Sequence, residues 1–234
     1  MGEPQLLIAE TFGLDPPTFQ GEGPSCGAPA MFIRLSRCNL SCSWCDTPYT
    51  WDWTRFDPHV EATRRSVAEL AGWANSSPVE LVVITGGEPL IQQRFLAPLV
   101  QSLIAGGKRI EIETNGTRTP DPELLIEGVR FNVSPKLANS GLTESQRIVP
   151  AALEAFTDSG RAVFKFVART TQDLNEIEVL AGRYGLAPIW VMPEGTTPEA
   201  LVVTTRAIAE AVAQRRWNLT PRLHVLAFGQ ERAR

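Results

Sequence analysis

The sequence predicts an α/β fold: a partial, modified βα (TIM-like) barrel of about six parallel strands. Short apolar runs rich in β-branched residues alternate with longer amphipathic stretches, which is the pattern of successive βα units. No linker, repeat or low-complexity tract divides the chain, so one domain is expected over residues 1–234. Successive βα units make neighbouring strands parallel, and about six strands are too few to close an eight-stranded barrel.

The strands and helices follow from apolar periodicity and from the residues at their ends. Strands are expected at 31–35, 81–85, 109–114, 129–133, 162–167 and 188–192, with 222–226 as a possible further strand. Helices are expected at 66–74, 92–105, 151–158, 174–184 and 198–216, with a shorter one at 120–127. Thr197 can cap the helix that starts at Pro198. Ligands bind at the carboxyl ends of parallel strands, so polar residues that follow a strand are candidate site residues.

Composition excludes several classes of protein. The chain is 43% hydrophobic and 21% charged, as in globular proteins and unlike collagenous or disordered chains. It has no run of about 18 apolar residues, and its first residues lack the features of a signal peptide, so a cytoplasmic protein without a membrane span is expected. The net charge of −4 without a block of Lys or Arg argues against nucleic acid and favours a small-molecule substrate.

Three of the four cysteines cluster after the first predicted strand. Cys38, Cys42 and Cys45 lie within CNLSCSWC, whereas Cys26 lies upstream in a loop. Cytoplasmic cysteines seldom form structural disulfides, so metal binding or catalysis is expected. Three thiolates can hold a four-iron four-sulfur cluster and leave one iron open to an exogenous chelating group. The alternative is a zinc site with His59 or Cys26 as fourth ligand, although the sequence has no second CxxC knuckle.

The spacing CxxxCxxC, with Trp44 before the third cysteine, resembles the radical S-adenosylmethionine (SAM) superfamily. A second motif of that superfamily, GGEP at 86–89, follows the next predicted strand. Glycines let backbone groups approach a ligand closely, and a carboxylate can accept a hydrogen bond from an ammonium group. The resemblance implies a truncated radical-SAM core, with a four-iron four-sulfur cluster on the three clustered cysteines and SAM as a second cofactor.

Further motifs narrow this resemblance. They are QGEG at 20–23, CDT at 45–47, PYTWDW at 48–53, ETNG at 113–116, SPK at 134–136, MPEGTT at 192–197 and LHVL at 223–226. Together they resemble the 7-carboxy-7-deazaguanine synthase family over nearly the whole chain. The resemblance implies a carbon–nitrogen lyase that converts 6-carboxy-5,6,7,8-tetrahydropterin to 7-carboxy-7-deazaguanine with loss of ammonia, in queuosine and 7-deazapurine biosynthesis. It also implies catalytic use of SAM, Mg²⁺ dependence, a homodimer, and an electron donor such as flavodoxin or ferredoxin.

The same resemblance implies which residues contact the cofactors and the substrate. It assigns no catalytic residue beyond these contacts. The hydroxyl of Thr47 would ligate Mg²⁺. Six residues would contact the substrate: Phe19, Gln20, Gly21, Arg34, Thr85 and His224. The residues implied for SAM follow several strands: Trp44, Cys45, Asp46, Gly86, Gly87, Glu88, Glu113, Asn115, Ser134, Pro135, Lys136, Met192, Pro193, Glu194 and Gly195.

Some positions depart from the family pattern or have no clear role. Arg37 stands before Cys38 where glycine is common, and a backbone angle that requires glycine would be costly there. The stretch between Gly13 and the QGEG motif, which contains residues 14–17, is longer than is usual in the family. We expect Lys108 to be a solvated turn residue and His59 to be exposed, whereas Lys165 lies inside a predicted strand.

Two other functions are compatible with clustered cysteines. Within the superfamily, a small activase would abstract a glycyl hydrogen from a partner protein through an open docking groove. The QGEG, CDT and PYTWDW motifs argue against that reading. Outside the superfamily, a zinc-stabilised module would bind without catalysis, and metal analysis for iron and sulfide would distinguish it.

Overall fold

The structure is a computed structural model that describes residues 4–229 and 231–233. In these residues one sheet contains ten strands: β1 (Gln5–Phe12), β2 (Thr18–Phe19), β3 (Pro29–Leu35), β4 (Thr63–Ser66), β5 (Leu81–Gly86), β6 (Arg109–Thr114), β7 (Val129–Val133), β8 (Ala162–Ala168), β9 (Ile189–Pro193) and β10 (Asn218–Leu219). The helices are α1 (Pro58–Glu61), α2 (Val67–Asn75), α3 (Gln93–Ala105), α4 (Glu144–Arg147), α5 (Pro150–Ser159), α6 (Thr171–Tyr184), α7 (Pro198–Gln214) and α8 (Leu223–Phe228). In the described part of the chain no helix is long and apolar enough to cross a membrane.

The sheet is parallel over most of its width. Its order is β10-β9-β8-β7-β6-β5-β3-β1-β4, and each pair from β10 to β3 is parallel. At the other edge β1 pairs antiparallel with β3 and with β4, and the short β2 also pairs with β3. No pairing joins β10 to β4 across the described residues. The predicted α/β class and the open, partial arrangement of parallel strands are therefore confirmed.

The predicted elements agree with the structure where the apolar pattern is long. All six principal strands are present within one or two residues of their expected ends. The five principal helices are present as α2, α3, α5, α6 and α7, and the Thr197 side chain accepts a hydrogen bond from the Ala200 amide as its predicted cap. The antiparallel strands β1 and β4 were not expected.

Three local predictions were wrong. Residues 223–226 do not form a strand but lie within helix α8, with Arg222 at its N-terminal end, because a short apolar run fits either period. Segment 120–127 holds only a 3₁₀ turn at Pro122–Leu124, capped by Asp121. Lys108 is buried rather than solvated: its ammonium donates to the carbonyl oxygens of Ser77 (2.6 Å) and Val79 (2.7 Å), which would otherwise lack donors.

Alternate residues of the parallel strands face two different environments, since side chains in a strand point to opposite faces in turn. One set, which includes Ile33, Ile84 and Ile112, is buried in the main core with the apolar faces of helices such as α3. In the other set, Ala30, Leu81 and Val83 belong to a second, smaller apolar cluster. Towards the carboxyl ends of the strands this set becomes polar and lines a cavity, with Arg34 on β3 and Thr85 on β5 as examples. The strands that build the core therefore also build the wall of the candidate site.

The turn after β3 has a strained backbone. Arg37 has φ of 79°, in the left-handed region that favours glycine. Its amide donates to the Thr50 carbonyl (2.7 Å) and its carbonyl accepts from the Glu88 amide (2.8 Å), so both neighbouring segments hold it in place. Arginine at residue 37 therefore keeps the costly backbone angle that favours glycine.

Replacing Arg37 by Gly should increase the free energy of unfolding by about 1 kcal/mol, because glycine adopts positive φ without a clash of its side chain. Urea denaturation of the two proteins measures the difference. Arg64, an exposed residue of β4 with ordinary strand geometry, provides the control, and Arg64→Gly should lower stability. Equal losses in the two variants would contradict the strain at position 37.

Candidate active site

One cavity lies at the carboxyl ends of the parallel strands and collects most of the predicted site residues. The residues that line it are Phe12, Phe19, Gln20, Gly21, Glu22, Phe32, Arg34, Cys38, Leu40, Cys42, Trp44, Cys45, Asp46, Thr47, Trp51, Thr85, Gly86, Gly87, Glu113, Thr114, Asn115, Ser134, Lys136, Lys165, Val167, Met192, Glu194, Arg222 and His224. Four of the residues predicted to bind SAM are not in this lining: Glu88, Pro135, Pro193 and Gly195. The three clustered cysteines and all six predicted substrate residues therefore share one cavity.

Glu113 is the centre of a polar group on the floor of the cavity. Its carboxylate accepts hydrogen bonds from the Thr85 hydroxyl (2.8 Å) and the Gln20 side-chain amide (3.2 Å). The Lys165 ammonium lies 3.6 Å from it. Thr85, Glu113 and Lys165 come from three strands, so the sheet itself fixes their spacing.

Glu22 forms a largely buried ion-pair network that is not predicted from the sequence. Its carboxylate contacts the Lys165 ammonium and lies 3.3 Å from the Arg222 guanidinium. Burial alone would raise the pKa of Glu22, but these two cations outweigh it and hold that pKa well below its usual range. Burial would likewise lower the pKa of Lys165, and Glu113 and Glu22 raise it instead. Glu22 is therefore an ionised carboxylate, which only accepts hydrogen bonds.

Arg222 connects three parts of the cavity wall. Its guanidinium contacts Glu22, pairs with the Asp46 carboxylate, and donates to the Gly195 carbonyl (2.9 Å). Asp46 follows the last cysteine, and Gly195 lies in the turn after β9. One buried cation thus ties the cysteine loop to the turn predicted to bind SAM. The possible strand predicted at 222–226 indicates no such role for Arg222.

Arg34 is held by a carboxylate behind it. Glu10 of β1 accepts from Arg34 Nε (2.7 Å), from the Tyr49 hydroxyl (2.5 Å) and from Arg232 Nε (3.1 Å). The guanidinium also lies over the Phe12 ring, at 5.6 Å from its centroid. Because Glu10 engages only Nε, and no other described residue bonds the guanidinium, the remaining donors of the fork are available to a ligand carboxylate.

The cysteine loop rests on two neighbouring turns. The Trp44 indole donates to the Asn139 backbone and side-chain oxygens (3.1 Å each), and the Ser43 amide donates to the Ser140 carbonyl (2.9 Å). Beneath the loop, a Cβ on Gly87 would collide with the Arg37 carbonyl and lie 2.8 Å from Cys38 Cβ. Glycine at 87 is therefore required for the GGEP turn to pack against the loop.

The cysteine sulfurs have the chemistry expected of ligands to an iron–sulfur cluster. Cys45 Sγ accepts from the Trp51 indole (3.3 Å) and Cys38 Sγ from the Leu40 amide (3.4 Å), and such bonds favour the thiolate that a metal requires. Burial raises the pKa of Cys38 to about 12 and also raises that of Cys42, so without metal both are neutral thiols. The described residues contain no group of three His, Cys, Asp or Glu close enough to hold a single metal ion. Since a four-iron cluster is larger than one ion, three cysteines set around one cavity fit it.

Glu88 is placed differently from the sequence expectation. Its carboxylate is fully buried and accepts from the amides of Leu90 (2.9 Å) and Asn115 (2.7 Å) and from the Thr114 hydroxyl (2.8 Å). It thus joins the GGEP turn to the end of β6 rather than facing the cavity. By contrast, the Lys136 ammonium lies 3.0 Å from the Ser134 hydroxyl and 5.5 Å from the centroid of the Trp44 ring, at the cavity wall.

His224 and the two residues considered for zinc lie in different places. His224 lines the cavity, 3.9 Å from Glu22, and packs so closely on Gly21 that a Cβ there would collide with its ring. Cys26 donates its thiol to the Gly21 carbonyl (3.4 Å) outside the lining, and His59 is exposed in α1. The prediction that His59 is exposed is confirmed.

Comparison with known proteins identifies the family. The model of the radical SAM superfamily matches residues 32–165. The 7-carboxy-7-deazaguanine synthase of Pyrobaculum aerophilum is 38% identical over 99% of this chain and 98% of its own length. The chain belongs to the 7-carboxy-7-deazaguanine synthase family. The synthase of Hyperthermus butylicus is 34% identical over 94% of this chain and 92% of its own length.

A solved structure agrees with this family. The crystal structure of QueE from Escherichia coli superposes with a TM-score of 0.72 at 28% identity, covering 94% of this chain and 95% of that one. The chain is therefore a radical SAM lyase of 7-deazapurine biosynthesis, with a four-iron four-sulfur cluster and SAM as cofactors. The activase and zinc-module alternatives are set aside.

The buried position of His224 predicts a pH dependence of stability. Burial lowers the pKa of His224 despite the attraction of Glu22, so as pH falls below about 6.5 the unfolded chain binds a proton before the folded one does. Stability should then fall with pH, by at most about 1.4 kcal/mol per pH unit. Urea denaturation at about pH 7.5 and 5.5 measures the loss. This loss of stability should be smaller in His224→Gln, whereas His59→Gln should lose as much stability as wild type. Equal losses in wild type and His224→Gln would contradict the assignment.

Proposed function

We propose that this protein converts 6-carboxy-5,6,7,8-tetrahydropterin to 7-carboxy-7-deazaguanine with loss of ammonia and regenerates SAM in each turnover. The single observation that carries the proposal is that the polar floor around Glu113, together with Arg34, lies in the same cavity as the three clustered cysteines. The full-length similarity to synthases that bear this name supports it.

Arg34 would bind the carboxylate of the pterin. A guanidinium binds a carboxylate through two parallel hydrogen bonds, and Glu10 already fixes the orientation of the Arg34 side chain. The rings of Phe12 and Phe32 are stacked 4.6 Å apart beside it and line the same cavity. A flat bicyclic substrate can pack on such rings while its polar edge reaches the floor.

The polar edge of a pterin carries both donors and acceptors, and the floor offers groups for both. Glu22 and Glu113 accept hydrogen bonds, and the Gln20 amide can donate and accept. Thr85 donates to Glu113 and so fixes which way that carboxylate points. These residues would hold the substrate in one orientation beside the cysteine loop, which is the protein's main contribution to catalysis in a cofactor enzyme.

The cofactors would bind on the side of the cavity that carries the CxxxCxxC and GGEP motifs of the superfamily. Cys38, Cys42 and Cys45 would hold the cluster, and Trp44, Ser134 and Lys136 would contact SAM. The bound cluster and SAM supply a one-electron source of radical chemistry that removes a hydrogen atom from the substrate. The buried walls around Leu40, Val167 and Met192 would exclude water from that chemistry.

Two further properties are proposed from the family resemblance: a homodimer, and an electron donor such as flavodoxin or ferredoxin. Light scattering coupled to size exclusion tests the first, and the anaerobic rate of cluster reduction by reduced flavodoxin or ferredoxin tests the second. A cytoplasmic location is also proposed and agrees with the composition.

The proposed reaction can be tested directly. After anaerobic reconstitution with iron and sulfide, the protein is incubated with dithionite, SAM, Mg²⁺ and 6-carboxytetrahydropterin, and products are identified by mass spectrometry. We expect 7-carboxy-7-deazaguanine and ammonia, with more than one product formed per SAM. Cleavage of SAM without the deazaguanine would overturn the substrate. Cys42→Ala should lose iron and turnover, whereas Cys26→Ala, outside the cavity lining, should retain both.

Thr47 is proposed as the protein ligand of Mg²⁺. Its hydroxyl lines the cavity 3.8 Å from Cys45 Sγ. Mg²⁺ typically takes few protein ligands and completes its shell with water and substrate oxygens, so one hydroxyl fits this role.

Replacing Thr47 by Ala should remove this ligand and lower turnover about tenfold or more at limiting Mg²⁺, since loss of one stabilising contact typically costs that much. Thr47→Ser keeps the hydroxyl and should respond to Mg²⁺ as wild type does. Turnover is measured against Mg²⁺ concentration at matched iron content. If Thr47→Ala has the Mg²⁺ response of wild type, the residue has a structural role only.

A further inference from the structure

Three residues outside the cavity hold the Arg34 guanidinium from behind. They are Glu10, Tyr49 and Arg232, and we term them the rear network. Arg34 itself lines the cavity, whereas these three are not among the described residues that line it. They come from β1, from the PYTWDW segment and from the residues that follow α8. Direct contact with a bound substrate therefore does not account for their arrangement.

The two carboxylate oxygens of Glu10 have different partners. Oε1 accepts from Arg34 Nε (2.7 Å) and from the Tyr49 hydroxyl (2.5 Å). Oε2 accepts from Arg232 Nε (3.1 Å), across 222 residues of sequence. Burial alone would raise the pKa of Glu10, but Arg34, Tyr49 and Arg232 together lower it. Glu10 is therefore an ionised carboxylate with both oxygens engaged.

Arg232 is held in place by more than one contact. Its Nη2 donates to the Glu61 carboxylate (2.9 Å), and its guanidinium carbon lies 3.8 Å from the centroid of the Tyr49 ring. Because the side chain is 46% exposed, a single ion pair there would contribute little. Two carboxylates and the face of a buried ring instead fix the planar guanidinium in one orientation.

The pairing of Oε2 decides how many donors of Arg34 remain for a ligand. A carboxylate readily binds a guanidinium through two parallel hydrogen bonds. While Arg232 occupies Oε2, Glu10 takes only the Nε donor of Arg34. Without Arg232, Oε2 would lack its donor, and a rotation of the Glu10 carboxylate would let it accept from an Nη of Arg34 as well. That Nη is one of the donors that a ligand carboxylate needs.

We propose that Arg232 is a positioning residue for substrate binding, which acts through Glu10 to keep the Nη donors of Arg34 available to the carboxylate of the substrate. The inference rests on the proposed function, in which Arg34 binds that carboxylate. Tyr49 assists by holding Oε1 of Glu10 and by supplying the ring under Arg232. Because the contact is made when the substrate binds, its loss should raise KM more than it lowers kcat.

The first test compares two oxidised ligands that differ only in the carboxyl group. Binding of 6-carboxypterin and of pterin to the reconstituted protein with SAM is measured by anaerobic equilibrium dialysis without a reductant, and free ligand is read by fluorescence. Arg232→Gln should weaken binding of 6-carboxypterin about tenfold, since a hydrogen bond between charged groups is lost. Binding of pterin, which has no carboxylate for Arg34, should stay within about twofold of wild type.

Steady-state kinetics gives a second readout. With 6-carboxy-5,6,7,8-tetrahydropterin as substrate, Arg232→Gln should raise KM about tenfold and leave kcat within about twofold of wild type. A fall in kcat with an unchanged KM would overturn the proposal, because it would place the effect in the reaction and not in binding.

Arg183 provides a matched control. Its side chain is 47% exposed, its Nη1 lies 2.8 Å from the Glu144 carboxylate, and its guanidinium carbon lies 5.8 Å from the centroid of the Tyr184 ring. Arg183→Gln therefore removes an equal charge from a similar setting outside the cavity lining, and it should bind both pterins as wild type does. Equal losses in Arg183→Gln and Arg232→Gln would overturn the proposal. So would an equal weakening of the two pterins in Arg232→Gln, or no weakening of either.

A double-mutant cycle tests whether Arg232 acts through Glu10. In a Glu10→Gln background, adding Arg232→Gln should change binding of 6-carboxypterin less than twofold, because the carboxylate that Arg232 positions is already absent. Additive losses would overturn the proposed route. The comparison of the two pterins needs only Arg232→Gln, whose side chain is partly exposed, so it decides the proposal even if Glu10→Gln does not fold.

The outcomes also separate this inference from the proposed function. A wild type that prefers 6-carboxypterin, with the same preference in Arg232→Gln, would overturn this inference alone. A wild type that binds both pterins equally would overturn the role of Arg34 in the proposed function, and this inference with it. Because the dialysis involves no turnover, a failure to form 7-carboxy-7-deazaguanine would overturn the proposed reaction without changing the binding result.

Discussion

The arrangement of the cavity depends most on the charge of Glu22. A carboxylate whose side chain is only 14% exposed is unfavourable unless it is paired, and removing one partner of such a pair typically costs about 3–5 kcal/mol. Its partners come from distant parts of the chain, Lys165 from β8 and Arg222 from the segment before α8. Because Arg222 also binds Asp46 and the Gly195 carbonyl, the same pairing holds the cysteine loop and the turn after β9 in one relative position.

Because side chains alternate along each strand, the same strands supply residues to both the apolar core and the cavity. On β5, Ile84 is buried in the core and Thr85 faces the cavity, and on β6 Ile112 and Glu113 divide in the same way. A shift of one residue in strand register would exchange these two sets and expose apolar side chains while burying charged ones. The apolar core thus fixes the register that places the polar floor, and the substrate wall needs no separate scaffold.

The parts of the fold that were predictable rest on local patterns. Apolar runs with clear ends identified the six principal strands, and the cysteine spacing brought Cys38, Cys42 and Cys45 to one loop. The parts that were missed depend on contacts between distant residues. Lys108 stands beside two glycines and has the sequence context of a surface turn, yet carbonyls some thirty residues away bury it. Likewise Glu22, Lys165 and Arg222 have no shared spacing, so only the folded chain shows that they meet. Residues 222–226 were ambiguous because three apolar residues in so short a segment fit either a strand or a turn of helix.

The contact between the QGEG segment and the region before α8 has a consequence for how the protein is made. The Gly23 amide donates to the Thr220 hydroxyl (2.7 Å) across 197 residues, and the Leu223 amide donates to the Gly21 carbonyl (2.8 Å). On the ribosome, the cysteines emerge long before these partners do. A nascent chain therefore carries cluster ligands without the wall that shields them from water and oxygen. Cluster insertion is best protected after translation has passed α8, which ties maturation of the enzyme to completion of its fold.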